Sequence, residues 1–379
     1  MKPKPVTYIV SIILAIYYFV SIKTTYSLIV ENKGGWYLGE WLINYQDGGF
    51  KRRGFFGTLF IAINEITKIN LEHIIFAFLF LVYTLFFCLL IKLFWKEKNN
   101  LLVLALVLLP AGFGMMVKDP SIASKKEIIF FLFYVMYILC LRSKIIVKNF
   151  VITLFILIAI LTHEAAYFYI PFVSFTYLVK NNGLLVDKIK KIAFYQLIPA
   201  TILMLILYQF GISINTENSV LFLKNHGLIL EELGIYEYDT KYNVVDFYKQ
   251  NIYSYQTYII SIMIAAFTFY VYCRLNKVKI STLFLVIQTA FLIPLFYLAL
   301  DWGRWINIFF SLLTIFIVTD QKSILTRKQE IMTFLLILFN LSWTMMLKTE
   351  GFLTFPALDS LLKKAYYFIY YKIHNIFIN

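Results

Sequence analysis

What most constrains this chain is the recurrence of apolar runs about as long as a bilayer is thick, with short basic stretches between them. The first, Val6–Val30, follows a basic Met1-Lys2-Pro3-Lys4-Pro5. It is too long for a cleaved signal segment and no small-x-small site follows it, so it reads as an uncleaved first transmembrane helix. A span needs about 20 apolar residues, fewer where basic flanks snorkel. By that rule further spans fall at Ile74–Phe94, Leu101–Val117, Ile128–Leu141, Phe150–Leu161, Ala165–Val179, Ile192–Phe210, Ser254–Cys273, Ile280–Leu300, Ile306–Thr319 and Ile331–Leu347. The expected fold class is all-α: a polytopic integral membrane protein of about 11 (10–12) transmembrane helices. Residues 1–379 form a single membrane-embedded domain in this reading, with 211–253 as an external loop subdomain. Phe55–Ile66 is too short to span and reads as an interfacial helix. The tail, 355–379, reads as an interfacial helix, with a twelfth span as the alternative.

Composition supports the class. Charged residues are 15% of the chain and hydrophobic residues 61%, whereas a soluble domain carries about 25% charged residues. A net charge of +14 would suggest nucleic acid for a soluble protein. Here anionic headgroups and a phosphate-bearing substrate account for it better. No zinc-finger spacing, helix-turn-helix pattern or RNA-binding aromatic motif is present, so nucleic acid is not an expected partner. Cys88, Cys140 and Cys273 form no CxxC pair and read as packing residues. The loops placed inside are short and basic, which puts the N-terminus in the cytoplasm. The expected location is a bacterial inner (plasma) membrane, crossed many times.

With that topology the unusual polar stretches fall at the external ends of helices. Asp47-Gly48-Gly49-Phe50-Lys51-Arg52-Arg53-Gly54-Phe55-Phe56-Gly57 packs one carboxylate, three cations and four glycines into eleven residues. Glycines allow sharp turns and close ligand approach, and arginines grip phosphate bidentately. Asp119 with Lys125, Lys126 and Glu127, then His163-Glu164, then Asp301-Trp302-Gly303-Arg304-Trp305, are the others. Ionisable residues at span margins tend to be paired or functional. Each stretch also has a plain account: Asp119-Pro120 as a capped turn, His163-Glu164 as a satisfied helix end, and Asp301 with Arg304 as an i,i+3 pair in an aromatic belt.

Read together, they suit a lipid-linked diphosphate. Arg52, Arg53 and Arg304 would clamp its phosphates, helped by Lys125 or Lys126. Trp302 and Trp305, beside Asp301, would meet the sugar. Asp47 would take a proton from an acceptor hydroxyl, with Asp119, His163 and Glu164 as further catalytic candidates.

This layout resembles the polytopic glycosyltransferases of the GT-C class, which place a catalytic acid in the first external loop just after the first helix. Asp47 stands there, and Asp119 matches a second acidic position after the third helix. The chain also resembles O-antigen-type polysaccharide polymerases, whose external arginines grip lipid-linked donors; Arg304 fits that pattern. The chain has no WWDYG motif, which argues against an oligosaccharyltransferase. Asp47 lacks the paired acid of a DxD motif, so the resemblance implies no certain cofactor and leaves a divalent metal open. It implies a glycosyltransferase or polymerase acting on a polyprenyl-(di)phosphate-linked saccharide among membrane lipids. A transporter or flippase of such lipids is the alternative; it would carry charges within the spans, lining a route through the bilayer.

Overall fold

The computed structural model describes residues 5–97, 99–141, 148–237, 252–298, 300–319 and 323–345. Within them the regular structure is helical. There is no strand among the described residues; an isolated parallel bridge pairs Lys51 with Ile212. Four helices are long and apolar enough to cross a membrane: Pro5–Glu31, Leu71–Trp95, Leu185–Phe210 and Tyr258–Asn276. Shorter apolar helices are Phe55–Thr67, Glu127–Leu141, Lys148–Thr162, Thr282–Tyr297 and Trp302–Val318. The expected tail helix at 355–379, and residues 238–251 of the expected external segment, lie outside the described residues.

Apolar side chains cover both the inside and the outside of this bundle. The Trp302–Val318 helix is buried along almost its whole length, with Ile306, Leu313 and Ile317 in the core. In contrast, Ile202, Leu205 and Tyr208 of the Ile198–Phe210 helix face outward. An outer surface of this kind is unfavourable in water and suits lipid, while the helices satisfy their own backbone groups.

The expected third span, Leu101–Val117, is not one helix. It breaks into Leu102–Val107 and Met115–Lys118, with turns between them. Pro110 lacks an amide hydrogen and favours the turn that Gly112 closes by donating to Leu109 O at 2.9 Å. This stretch reads as a span because it is apolar, yet Val103, Leu106, Leu109 and Phe113 are buried by protein. The short helix Pro120–Ser124 follows it and is held within the body of the bundle: Thr25 and Tyr83 both donate to Ala123 O, and Trp41 Nε1 donates to Ser124 O. Irregular backbone at such depth is tolerated where protein surrounds it. Its consequence is to carry Lys125, Lys126 and Glu127 inward. The expected sixth span, Ala165–Val179, likewise begins as a tight turn, Glu164–Tyr169, before the Ile170–Lys180 helix.

The opposite end is tied by amides. Asn99 reaches Thr7 Oγ1 at 3.2 Å, and Asn100 reaches Asn276 Oδ1 at 2.6 Å and Ser323 O at 2.9 Å. The segments read as cytoplasmic are therefore brought together, away from the charged cluster described below.

Gly57 lets the Phe55–Thr67 helix lie directly on the Glu40–Leu42 turn. A Cβ there would meet Ile43 O at 2.0 Å, whereas one at Gly112 would make only ordinary contact, 3.7 Å from Leu109 O. Gly57→Ala should lower the stability of the solubilised protein by about 1–3 kcal/mol or more, as overpacking does. Gly112→Ala should melt close to wild type in the same thermal assay.

Candidate functional site

The site is built on a carboxylate that lies in the first loop, Glu40. It follows the glycine-bounded turn Gly35–Gly39 and opens the short helix Glu40–Leu42. Its Oε1 stands 3.3 Å from Arg304 Nη2 and 3.7 Å from Arg53 Nη1, and its Oε2 accepts from Lys125 Nζ at 3.2 Å. Three cations from three distant parts of the chain thus meet one buried acid.

Each of those cations has further partners. Arg304, in the first turn of its helix, donates through Nε to Glu127 Oε1 at 2.9 Å and through Nη1 to Asp301 Oδ2 at 3.0 Å. Arg53 grips Glu164 with both Nε and Nη2, at 2.8 and 2.7 Å, the planar fork that a carboxylate matches. Lys125 also donates to Trp36 O at 2.7 Å. Lys126 bonds Arg53 O at 3.0 Å and lies over the Trp41 ring, 5.5 Å from its centroid. The cluster holds Glu40, Glu127, Glu164 and Asp301 against Arg53, Lys125, Lys126 and Arg304, so its formal charges cancel.

The chemistry of the groups follows from this packing. Burial alone would raise the Glu40 carboxyl, but Lys125, Arg304 and Arg53 outweigh it and hold the group well below the usual carboxylate range. Glu164 is likewise held low against burial, by the charge and hydrogen bonds of Arg53. Burial drives His163 well below its usual value, reinforced by Arg53, so the ring is neutral. Its Nδ1 accepts from the Ala165 amide at 3.1 Å, which places the proton on Nε2. Burial pushes Lys126 down to about 7, although Glu40 draws it upward. Most of the cluster is sealed. Asp301, Arg53 and Glu164 form its open edge, with side chains 44%, 22% and 16% exposed.

Asp47 is placed differently from the expectation. It bonds neither Arg52 nor Arg53. It forms a buried pair with Lys51, four residues on, and Lys51 also reaches Ser219 Oγ at 3.3 Å. The Asp47 amide donates to Asn44 Oδ1 at 3.0 Å, and its Oδ2 is buried with no hydrogen-bond partner. The local reason is the turn: Gly48 and Gly49, at φ 139° and 111°, fold the chain back so that residues 47 and 51 face each other. Asp119 caps the Pro120–Ser124 helix, accepting from Ser121 N at 3.3 Å and Ser121 Oγ at 2.5 Å. Arg52 is exposed, in contact range of Gly211. Trp302 donates to Phe296 O at 2.7 Å, and the Trp305 ring stands edge-on to His163 at 5.7 Å.

Sequence reasoning missed Glu40, and it left Glu127 without a role. Both signals were present: Glu40 interrupts the aromatic stretch Trp36-Tyr37-Leu38-Gly39-Glu40-Trp41, and Glu127 opens an apolar helix. Among the described residues, no group of three or more His, Cys, Asp or Glu side chains is placed to hold a metal ion. No protein-family model, no curated protein and no solved structure matches this chain.

Two predictions follow from these placements. Removing one partner of a buried ion pair costs about 3–5 kcal/mol, while replacing both by apolar groups is often neutral. Asp47→Asn should therefore destabilise the solubilised protein by that amount, and Asp47→Leu with Lys51→Met should recover most of it. A stable Asp47→Asn variant would remove the structural role.

The second concerns Lys126. The unfolded side chain titrates near its ordinary value, about 10.4, and the folded one at about 7. Between these values the unfolded chain binds more protons, so the Lys126 contribution to stability rises with pH across that window. Below it, the full cost of burying the ammonium is present. Lys126→Met should flatten the rise, measured as thermal unfolding between about pH 6 and pH 10.

Proposed function

We propose that this protein is a membrane glycosyltransferase or polysaccharide polymerase that uses polyprenyl-linked sugar donors in surface polysaccharide synthesis. It acts at the external face of a bacterial inner membrane, with its N-terminus in the cytoplasm and about 11 spans. The observation that carries this reading is the cluster around Glu40. Four cations and four carboxylates are drawn from separate loops into the same end of the bundle, most of them shut away from water. Buried pairs of this kind rarely repay their desolvation in stability, so a functional reason is the better account.

The roles change from those the sequence suggested. Glu40, rather than Asp47, is the first-loop acid. Held ionised by three cations, it orients an acceptor hydroxyl in the resting protein. A donor diphosphate that draws Arg53 or Arg304 toward itself would free Glu40 to accept the proton, because the lost positive charge raises its affinity for one. Exposed Arg52 and partly exposed Arg53 meet the phosphates at the open edge. Arg304 supports the negative charge that develops on the departing polyprenyl phosphate. Lys126 titrates close to neutral pH, which suits a residue that gives or takes a proton during transfer.

The transporter reading gains support from how deeply the cluster is buried. Against it, Arg304 and Glu127 sit in the first turns of their helices and not at mid-span. Protein reconstituted in liposomes with a synthetic polyprenyl-diphosphate saccharide separates the two. A transferase lengthens the saccharide, whereas a transporter only moves it across the bilayer. Glu40→Gln leaves Arg53, Lys125 and Arg304 short of a partner and should lower stability, and the protein that still folds should lose about 10²-fold or more in transfer per molecule. Arg304→Lys keeps the charge, loses the fork that holds Glu127, Asp301 and Glu40, and should also fail. Wild-type transfer by both variants would remove the cluster from the reaction.

A further inference from the structure

Beside the ion network lies a small, partly open space of about 10 Å³, lined by Lys126, Glu127, Phe130, Thr162, His163 and Ile308 among others. That is about the least volume that holds one water molecule. Size alone would leave it dry if the walls were apolar. Two of its lining residues are not. Glu127 Oε2 and His163 Nε2 are both buried, and neither has a hydrogen-bond partner among the protein's own atoms. Their residues are 5% and 6% exposed, so bulk solvent does not supply the partner.

Their chemistry is complementary. His163 Nδ1 is committed as an acceptor from the Ala165 amide, so Nε2 carries the hydrogen and needs an acceptor. Glu127 accepts from Arg304 through Oε1 only, so Oε2 needs a donor. They do not bond each other. One molecule that accepts from His163 and donates to Glu127 would satisfy both atoms, and the space admits nothing larger than water. Thr162 donates its hydroxyl hydrogen to Ile158 O at 2.7 Å, leaving Oγ1 able to accept the second hydrogen of such a molecule. Lys126 Nζ spends one donor on Arg53 O and has others to give. A water here would find up to four partners, the top of the range of about two to four hydrogen bonds that buried waters make.

We propose that this cavity is a resident water site in which one molecule accepts from His163 Nε2–H and donates to Glu127 Oε2. The water adds a second link, beside Glu40, between Arg304–Glu127 and the His163, Glu164 and Arg53 side of the network. It holds the histidine in its Nε2–H form and gives the free oxygen of Glu127 a donor, so that neither group is left uncompensated in the interior. The inference goes beyond glycosyl transfer and stands whether the site transfers or transports.

The test is a cryo-EM map of the full chain in a lipid nanodisc, at a resolution where ordered waters are visible. The expected result is a density peak about 2.6–3.2 Å from both Glu127 Oε2 and His163 Nε2. Two results overturn the proposal: no peak where the surrounding side chains are well defined, or either atom bonded directly to another protein group. A map of His163→Phe adds a second check. Loss of the peak supports the bridge, and a peak at the same place shows that His163 does not hold the water. If that variant does not assemble, the wild-type map decides by itself.

Discussion

Everything in the charged end of this molecule depends on the burial of Glu40. A carboxylate in a low-dielectric interior costs several kcal/mol to desolvate even after the protein relaxes. It is tolerated because Lys125, Arg53 and Arg304 approach it from three sides. Those cations would themselves be costly without Glu40, Glu164, Glu127 and Asp301. The arrangement is therefore all or none: remove one member and its neighbours become uncompensated charges. Such mutual dependence accounts for the way the loops are built. The Gly35–Gly39 turn presents Glu40 inward, the broken third apolar stretch lowers Lys125–Glu127 into the bundle, and the tight turn at Glu164 faces Arg53.

A balanced network has a consequence for binding. Its cations are already satisfied by carboxylates, so an incoming anion must compete for them and does not enter a waiting pocket. The competition is easiest at the edge, where Asp301 is half exposed and Arg53 and Glu164 are partly so. Arg52, exposed beside this turn, can meet an anion first. A substrate phosphate that takes over part of the Arg53 or Arg304 fork would change the charge felt by Glu40 and Lys126 together. Binding of such an anion would thus be linked to proton affinity by charge interactions in a medium that screens them weakly.

The Asp47–Lys51 pair shows how a motif that looks functional can be structural. Its glycines are there to reverse the chain, and the reversal seals the carboxylate against the lysine, which also reaches Ser219. The same eleven residues still supply a member of the cluster, because Arg53, at φ 66°, points the other way to Glu164.

From the amino-acid sequence alone, the helical class and the apolar outer surface were legible, because apolar runs such as Val6–Val30 and Ile74–Phe94, if they lie in lipid, leave the backbone no better way to satisfy its hydrogen bonds than a helix. The i,i+3 pairing of Asp301 with Arg304 was legible too, since helical spacing sets it locally. The identity of the central acid was not. Asp47 and Glu40 both follow the first helix, and which one meets the cations depends on contacts between residues 85 to 264 positions apart. Nor could hydropathy tell that Leu101–Val117 is covered by protein in place of lipid, because both surroundings favour the same side chains. Burial partners, and with them the choice between a salt pair and a reactive carboxylate, exist only once the chain has folded.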